Sequence, residues 1–195
     1  IGSLRFDYDN RNKKIKYGKK INQKPTIVFM LGSFTKKNHF YQGYNRQKVE
    51  SSLWYLHYEI LLLLKEYQNR YNIIFKDYPH GHSNMWKKIL KDINADKIVY
   101  ISTGETVNSL LRISDLNILP WISTTFFEAL YFEADVFVLD EDLFDEPFNN
   151  KLNKEIFWFK NAEKFKSSLK KYLEDGKFYQ CTKQESRKYF LNSDA

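Results

Sequence analysis

The sequence is poor in the residues that staple or punctuate small folds: of 195 residues, 1 is Cys, 4 are Pro and 7 are Gly. A single cysteine, Cys181, excludes a disulfide framework and a cysteine-built zinc cage, and it is neutral to residence in a reducing compartment. Neither G-x-G-x-x-G nor G-x-x-x-x-G-K-[ST] occurs, which argues against dinucleotide-dependent dehydrogenases and P-loop NTPases. H-E-x-x-H and G-x-S-x-G are absent as well, against zincin and α/β-hydrolase chemistry. The most apolar window, Leu53 to Leu64, is interrupted by His57 and Glu59 and ends at Lys65. It falls well short of the roughly 20 residues that cross a bilayer.

What is present is enough for a core. Hydrophobic residues make up 43% of the chain and charged ones 28%, a balance that excludes wholesale disorder. The net charge of +7 suggests a polyanionic partner, but Lys, Asn, Ile, Tyr and Phe are enriched together, as an AT-rich coding sequence produces. The charge is also uneven. Residues 1–50 carry 12 Lys/Arg against 3 Asp/Glu, whereas residues 101–150 carry 1 against 10. A nucleic-acid module is expected to hold one basic face throughout, so nucleic acid is an unlikely partner and most lysines read as solvated surface.

Three segments are expected: an opening strand and Lys/Asn-rich linker (1–24), a Rossmann-like nucleotide-binding domain (25–180) and a C-terminal tail (181–195). Within the middle segment, strands and helices alternate. The continuous apolar run Pro25 to Leu31 predicts a strand buried on both faces. Leu53, Leu56, Ile60, Leu63, Leu64 and Tyr67 recur at helical steps and predict a helix over 49–70. Strands are expected at 71–75, 97–101, 116–119, 136–139 and 155–159, and helices from Ser83 as cap to 93, after Glu105, over 124–133 and over 163–175, where Gly176 stops the last. That order means an α/β fold, a doubly wound parallel sheet, whose ligands sit outside the carboxyl ends of the strands.

The rule points to the loops after those strands. Gly32 and Ser33 follow the first, and Lys76, His80 and His82 follow the second. The fullest signal is Ser123-Thr124-Thr125 at a helix start, with Glu128 one turn on. Free N–H groups and the helix dipole bind anions there, hydroxyls add donors, and a carboxylate can accept two hydrogen bonds from a ribose diol. The same residues also read as a plain capping arrangement, with Ser123 as cap and a glutamate nearby. His39 and His57 read as loop and helix-face histidines without a role, and the Leu53-Leu56-Ile60-Leu64 stripe as core.

Asp115, the strand after it, Ser123-Thr124-Thr125, Phe127-Glu128-Ala129-Leu130 and Val136 to Asp140 together resemble the C-terminal half of GT-B glycosyltransferases, near bacterial surface-polysaccharide and CDP-glycerol glycerophosphotransferase-like enzymes. Ile1-Gly-Ser-Leu-Arg-Phe-Asp7 looks like the "hGSPRFD" element of that family, with Leu4 in place of proline. Lys76-Asp-Tyr-Pro-His80 is similar to its "hKxHP" turn with Pro and His transposed. The resemblance implies that Gly32, Ser33, Ser123, Thr124 and Thr125 meet the nucleotide diphosphate and that Glu128 meets the ribose. It also implies that Lys76 and His80 face the donor as catalytic groups. No metal and no resident cofactor are implied, the nucleotide-sugar or CDP-polyol being a substrate. The Glu-x7-Glu pair of many retaining members is not present, and Asp135 stands where the family commonly has a small residue and proline.

The expected function is therefore the donor-binding domain of a transferase moving an activated sugar or polyol phosphate in bacterial surface carbohydrate biosynthesis. Its expected place is the cytoplasm, peripheral to the inner face of the membrane, with a lipid-linked or saccharide acceptor. An N-terminal GT-B half is the expected partner, and the chain alone is expected not to turn over. Two other readings are a sugar-nucleotide 2-epimerase half of the same architecture, and a noncatalytic basic Rossmann-like module on membrane or nucleic acid.

Overall fold

The computed structural model describes residues 24–31, 46–77, 83–102, 105–120, 124–132, 134–139 and 156–178, with the helical backbone alone at 46–52, 83–84, 124 and 127. Eleven elements follow one another there. They are β1 (Thr26–Met30), α1 (Arg46–Glu66), β2 (Asn72–Lys76), α2 (Ser83–Asp92), β3 (Ile98–Ile101), α3 (Val107–Ile113), β4 (Leu116–Leu119), α4 (Thr124–Tyr131), β5 (Asp135–Leu139), β6 (Phe157–Phe159) and α5 (Ala162–Asp175). Several expected boundaries shift by one to four residues. The first helix ends at Glu66, because residues 67–70 turn so that Tyr71 can enter the core. Ser83 opens α2 as a helical residue rather than standing before it as the cap.

The strands form one parallel sheet in the order β3-β2-β1-β4-β5-β6. The chain starts near the middle, builds outward to β3, then returns to the other side of β1. Alternation along each strand sends side chains to two separate cores. One contains Ile27, Phe29, Phe75, Leu116, Ile118 and Phe137 from the sheet, covered by α1, α2 and α5. The other contains Val28, Met30, Ile74, Val136 and Val138, covered by α3 and α4. Doubly covered strands explain why β1 reads as an unbroken apolar run instead of an alternating one.

The first core is strongly aromatic. Phe29 stacks on Phe75 at 5.1 Å, Phe75 meets Trp86 edge-on at 5.3 Å, and Phe137 stacks on Phe157 at 4.4 Å. Such pairs add about 0.5–1.5 kcal/mol beyond the area they bury. α5 is fastened at its C-terminal end, where the Tyr71 hydroxyl donates to Leu173 O at 2.6 Å and Arg70 Nη1 donates to Glu174 O at 2.9 Å. Gly176 then takes a left-handed φ of 65°, and its N–H donates to Tyr172 O. A Cβ there would lie 2.3 Å from Arg70 Nη2, so the helix stop also leaves room for the arginine that caps it. Among the described residues no helix is long and apolar enough to cross a membrane.

The polar groups buried in this framework include three that stand apart from the carboxyl edge. Asp115 is buried just ahead of β4; its Oδ2 accepts from Thr26 N at 2.7 Å, and its own N–H donates to Thr26 O at 2.7 Å. His57 lies wholly inside the first core rather than on a helix face, tilted against Phe29, with Nδ1 2.5 Å from Leu53 O. Burial lowers its pKa from 6.5 to about 4. Asn117 is fully buried in mid-β4, between Val28 and Val136, and neither of its amide atoms has a hydrogen-bond partner among the described residues.

Two outcomes are expected. Asn117→Leu, nearly isosteric, removes two orphaned polar atoms from an apolar site and should raise stability by about 1–3 kcal/mol in urea unfolding. A loss of stability would mean that the amide is satisfied in solution. Because the folded pKa of His57 is depressed, its neutral form supports the fold fully above pH 6.5, and that support declines as pH falls toward about 4. Between pH 6.5 and about 4 the unfolding free energy of the protein should fall by about 3 kcal/mol more than that of His57→Leu.

Candidate functional site

The return of the chain past β1 creates a switch point between β1 and β4. The helix after β1 covers one face of the sheet and the helix after β4 covers the other, so the two following connections part at the carboxyl edge. A crevice at that place is where open α/β sheets take ligands. α4 begins there: β4 ends at Leu119, Pro120 is buried, and the helix starts at Thr124. Its first-turn N–H groups have no partners within the helix, and no acidic residue occupies that turn, so its positive end is not neutralised from within.

Glu128 lies one turn into α4 and is 6% exposed, while Thr125 is half-buried in the first turn. The helix packs through Phe126, Ala129 and Leu130, which belong to the second core, and Phe126 meets Trp158 edge-on at 5.3 Å. The apolar spacing 126-129-130 thus fixes the rotation of α4 about its axis. Thr124 starts the helix; Gly32, Ser33, His80, His82 and Ser123 lie outside the described residues.

Lys76 ends β2, paired with Met30 on one side and Ile101 on the other. Its side chain is buried. Nζ donates to Asp77 O at 2.7 Å and to Ser102 O at 3.3 Å, both backbone carbonyls. Burial lowers the Lys76 pKa, and the neighbouring Asp77 opposes that shift. An ammonium has three donors, so this arrangement leaves one N–H for a further acceptor. The contacts turn Nζ toward β3, on the far side of β1 from α4. The structure therefore places Lys76 and the start of α4 along one carboxyl edge, with Lys76 held two strands from β4, about 10 Å by strand spacing.

Asp77 was not foreseen from sequence. It is buried next to Lys76, its N–H donates to Ile101 O at 2.8 Å, and its carboxylate accepts from the Tyr100 hydroxyl. Burial, then the hydrogen bond and charge of Asp77, push the Tyr100 pKa upward, so the phenol stays protonated. A Lys-Asp pair at the end of an apolar strand was the available signal, but only the pairing of β2 with β3 brings Tyr100 beside Asp77. Among the described residues no three His, Cys, Asp or Glu side chains group as a metal site.

No family model and no curated protein matches the sequence. Solved structures do match. The C-terminal domain of a glycosyl transferase group 1 family protein, LpcC from Francisella tularensis, aligns with a TM-score of 0.53 at 13% identity, over 87% of this chain and 85% of that one. In fold, the chain resembles a GT-B glycosyltransferase C-terminal domain. The catalytic domain of cholesterol-alpha-glucosyltransferase from Helicobacter pylori aligns at a TM-score of 0.49 and 14% identity, over 86% of this chain and 99% of that one.

If Lys76 is retained for a ligand rather than for folding, Lys76→Met should leave the melting temperature unchanged or raised. The variant loses two hydrogen bonds but also the cost of burying an ammonium. A fall of several degrees would mark the lysine as a structural tie between β2 and β3.

Proposed function

We propose that the chain is the donor-binding domain of a glycosyltransferase. The observation that carries the reading is the start of α4 at the β1–β4 switch point, with Thr125 in its first turn and buried Glu128 one turn later. The resemblance of the fold to the LpcC C-terminal domain supports it. In this proposal the diphosphate of a UDP- or CDP-type donor lies on the N–H groups of α4, with Ser123, Thr124 and Thr125 adding hydroxyl donors and Gly32-Ser33 closing from β1. Glu128 accepts hydrogen bonds from the ribose.

Chemistry then follows from where charge develops. An acceptor hydroxyl oxygen forms a bond to the anomeric carbon, the carbon–oxygen bond to the diphosphate breaks, and the nucleotide leaves with the electron pair. The helix terminus and Lys76 stabilise that negative charge, Lys76 through its third N–H. The acceptor proton goes to a base from an N-terminal half across the cleft, with His80 the candidate on this chain. Surface carbohydrate built on a lipid-linked or saccharide acceptor at the inner face of the cell membrane is the proposed setting.

Calorimetry on the chain with UDP, CDP and the corresponding 2′,3′-dideoxy nucleotides tests the reading. One nucleoside diphosphate should bind at millimolar or lower concentration. Glu128→Gln should weaken it by about tenfold or more, the worth of a charge-assisted hydrogen bond, and should erase the preference over the dideoxy form. Absence of binding by every nucleoside diphosphate, or unchanged binding in the variant, would overturn it.

A further inference from the structure

The two faces of the sheet are unequally covered. Among the described residues three helices cover one face; on the other, α3 and α4 lie over the centre and the β5 side, and the outer face of β2 and β3 forms a groove beside α3. The groove encloses about 310 Å³, within the usual range for ligand pockets. Its floor and wall are aliphatic: Ile74, Val99 and Ile101 from the strands, Leu110 and Ile113 from α3. Val99 is 55% exposed, one of two large hydrophobic residues so exposed among the described residues.

The end of the groove at the amino edge of the sheet has a different character. Lys24 and Lys97 both line it, and both ammonium groups converge on one residue: Lys24 Nζ donates to Asn69 O at 2.8 Å and Lys97 Nζ donates to Asn69 Oδ1 at 2.5 Å. No carboxylate pairs with either lysine among the described residues. Both lysines are exposed, and each ammonium keeps two N–H groups for a further acceptor such as an anion. The one acidic residue on the lining, Glu105, precedes α3 at the opposite, carboxyl end, where it accepts from the Ser109 hydroxyl.

We infer that this groove binds a single-chain anionic amphiphile, a medium-chain fatty acid, with its carboxylate on Lys24 and Lys97 and its tail over Ile74, Val99 and Ile101. The occupant is set by charge complementarity. The apolar length takes a hydrocarbon chain, the paired lysines take its anionic head, and Glu105 repels that head from the other end and so fixes the orientation. The site lies at the β2–β3 edge, away from the β1–β4 switch point, and does not depend on how that switch point is used.

The test is methyl NMR on the chain titrated with decanoate, with 1-decanol as the uncharged analogue and phosphatidylglycerol vesicles as the membrane arm. Decanoate should shift the methyl signals of Val99, Ile101 and Ile113 and bind about tenfold more weakly to the Lys24→Gln, Lys97→Gln double variant, with 1-decanol unaffected by that change. Val99→Asp, at an exposed position, should abolish binding of both while circular dichroism stays unchanged. Equal decanoate binding by the parent and the lysine variant would reduce the site to apolar adsorption and overturn the proposal. So would vesicle binding without monomer binding. Absence of decanoate binding, with a lowered melting temperature in Val99→Asp, would mean that protein already covers the groove, and would overturn it too.

Discussion

The parallel pairing of β1 with β4 is the constraint on which the rest of this domain depends. These two strands are far apart in sequence, and the chain closes them only after building β2 and β3 on the other side. Asp115 holds the junction at its amino end, with its carboxylate on Thr26 N and its own backbone on Thr26 O, while Asp135 N donates to Asp115 O. One buried residue thus ties β1, β4 and β5 into register. A side chain unable to accept from Thr26 would strand a buried N–H, at a cost of about 1–3 kcal/mol. The same register sets where β4 ends, and so where α4 begins and its N–H groups point.

Two faces with different chemistry grow from that sheet. On the side of α1, α2 and α5, stacked and edge-on aromatic rings fill the space, and two polar groups that enter it are matched: Tyr172 donates to Asp135 and His57 keeps its Nδ1 on Leu53 O. The other side is aliphatic, with fewer helices over more sheet, and contains Asn117 and the open β2–β3 groove. Both proposed binding features fall on or beside the less covered face, because a crevice or groove requires sheet that no helix has closed. The better packed face provides the rigid backing.

Much of the fold was legible in order. The apolar run at 25–31 read as a strand buried on both sides, strands were expected at 116–119 and 136–139, and Gly176 stands where α5 stops. The boundaries that moved did so for tertiary reasons; Tyr71 leaves the helix because its hydroxyl has a partner on Leu173, 102 residues away in sequence. The candidate site was legible in part. Glu128 is buried one turn into a helix whose start meets the switch point, but a capping glutamate and a ribose-binding one have the same sequence spacing. Lys76 was legible as a cation at a strand end; its engagement with the carbonyls of Asp77 and Ser102 was not, since one of those partners arrives from β3.

By itself, the sequence determined which elements form and that they alternate, because helical and strand periodicities and their stops are local. Scarce glycine and the missing phosphate-loop motifs excluded the glycine-cradled nucleotide folds on the same local grounds. Only the tertiary structure decided which strands are neighbours. It also decided that Asn117 has no hydrogen-bond partner among the described residues, in an apolar layer, and that Lys24 and Lys97 meet at Asn69. Those outcomes depend on pairings across tens of residues, and no local pattern encodes the distance between two side chains that a sheet brings together.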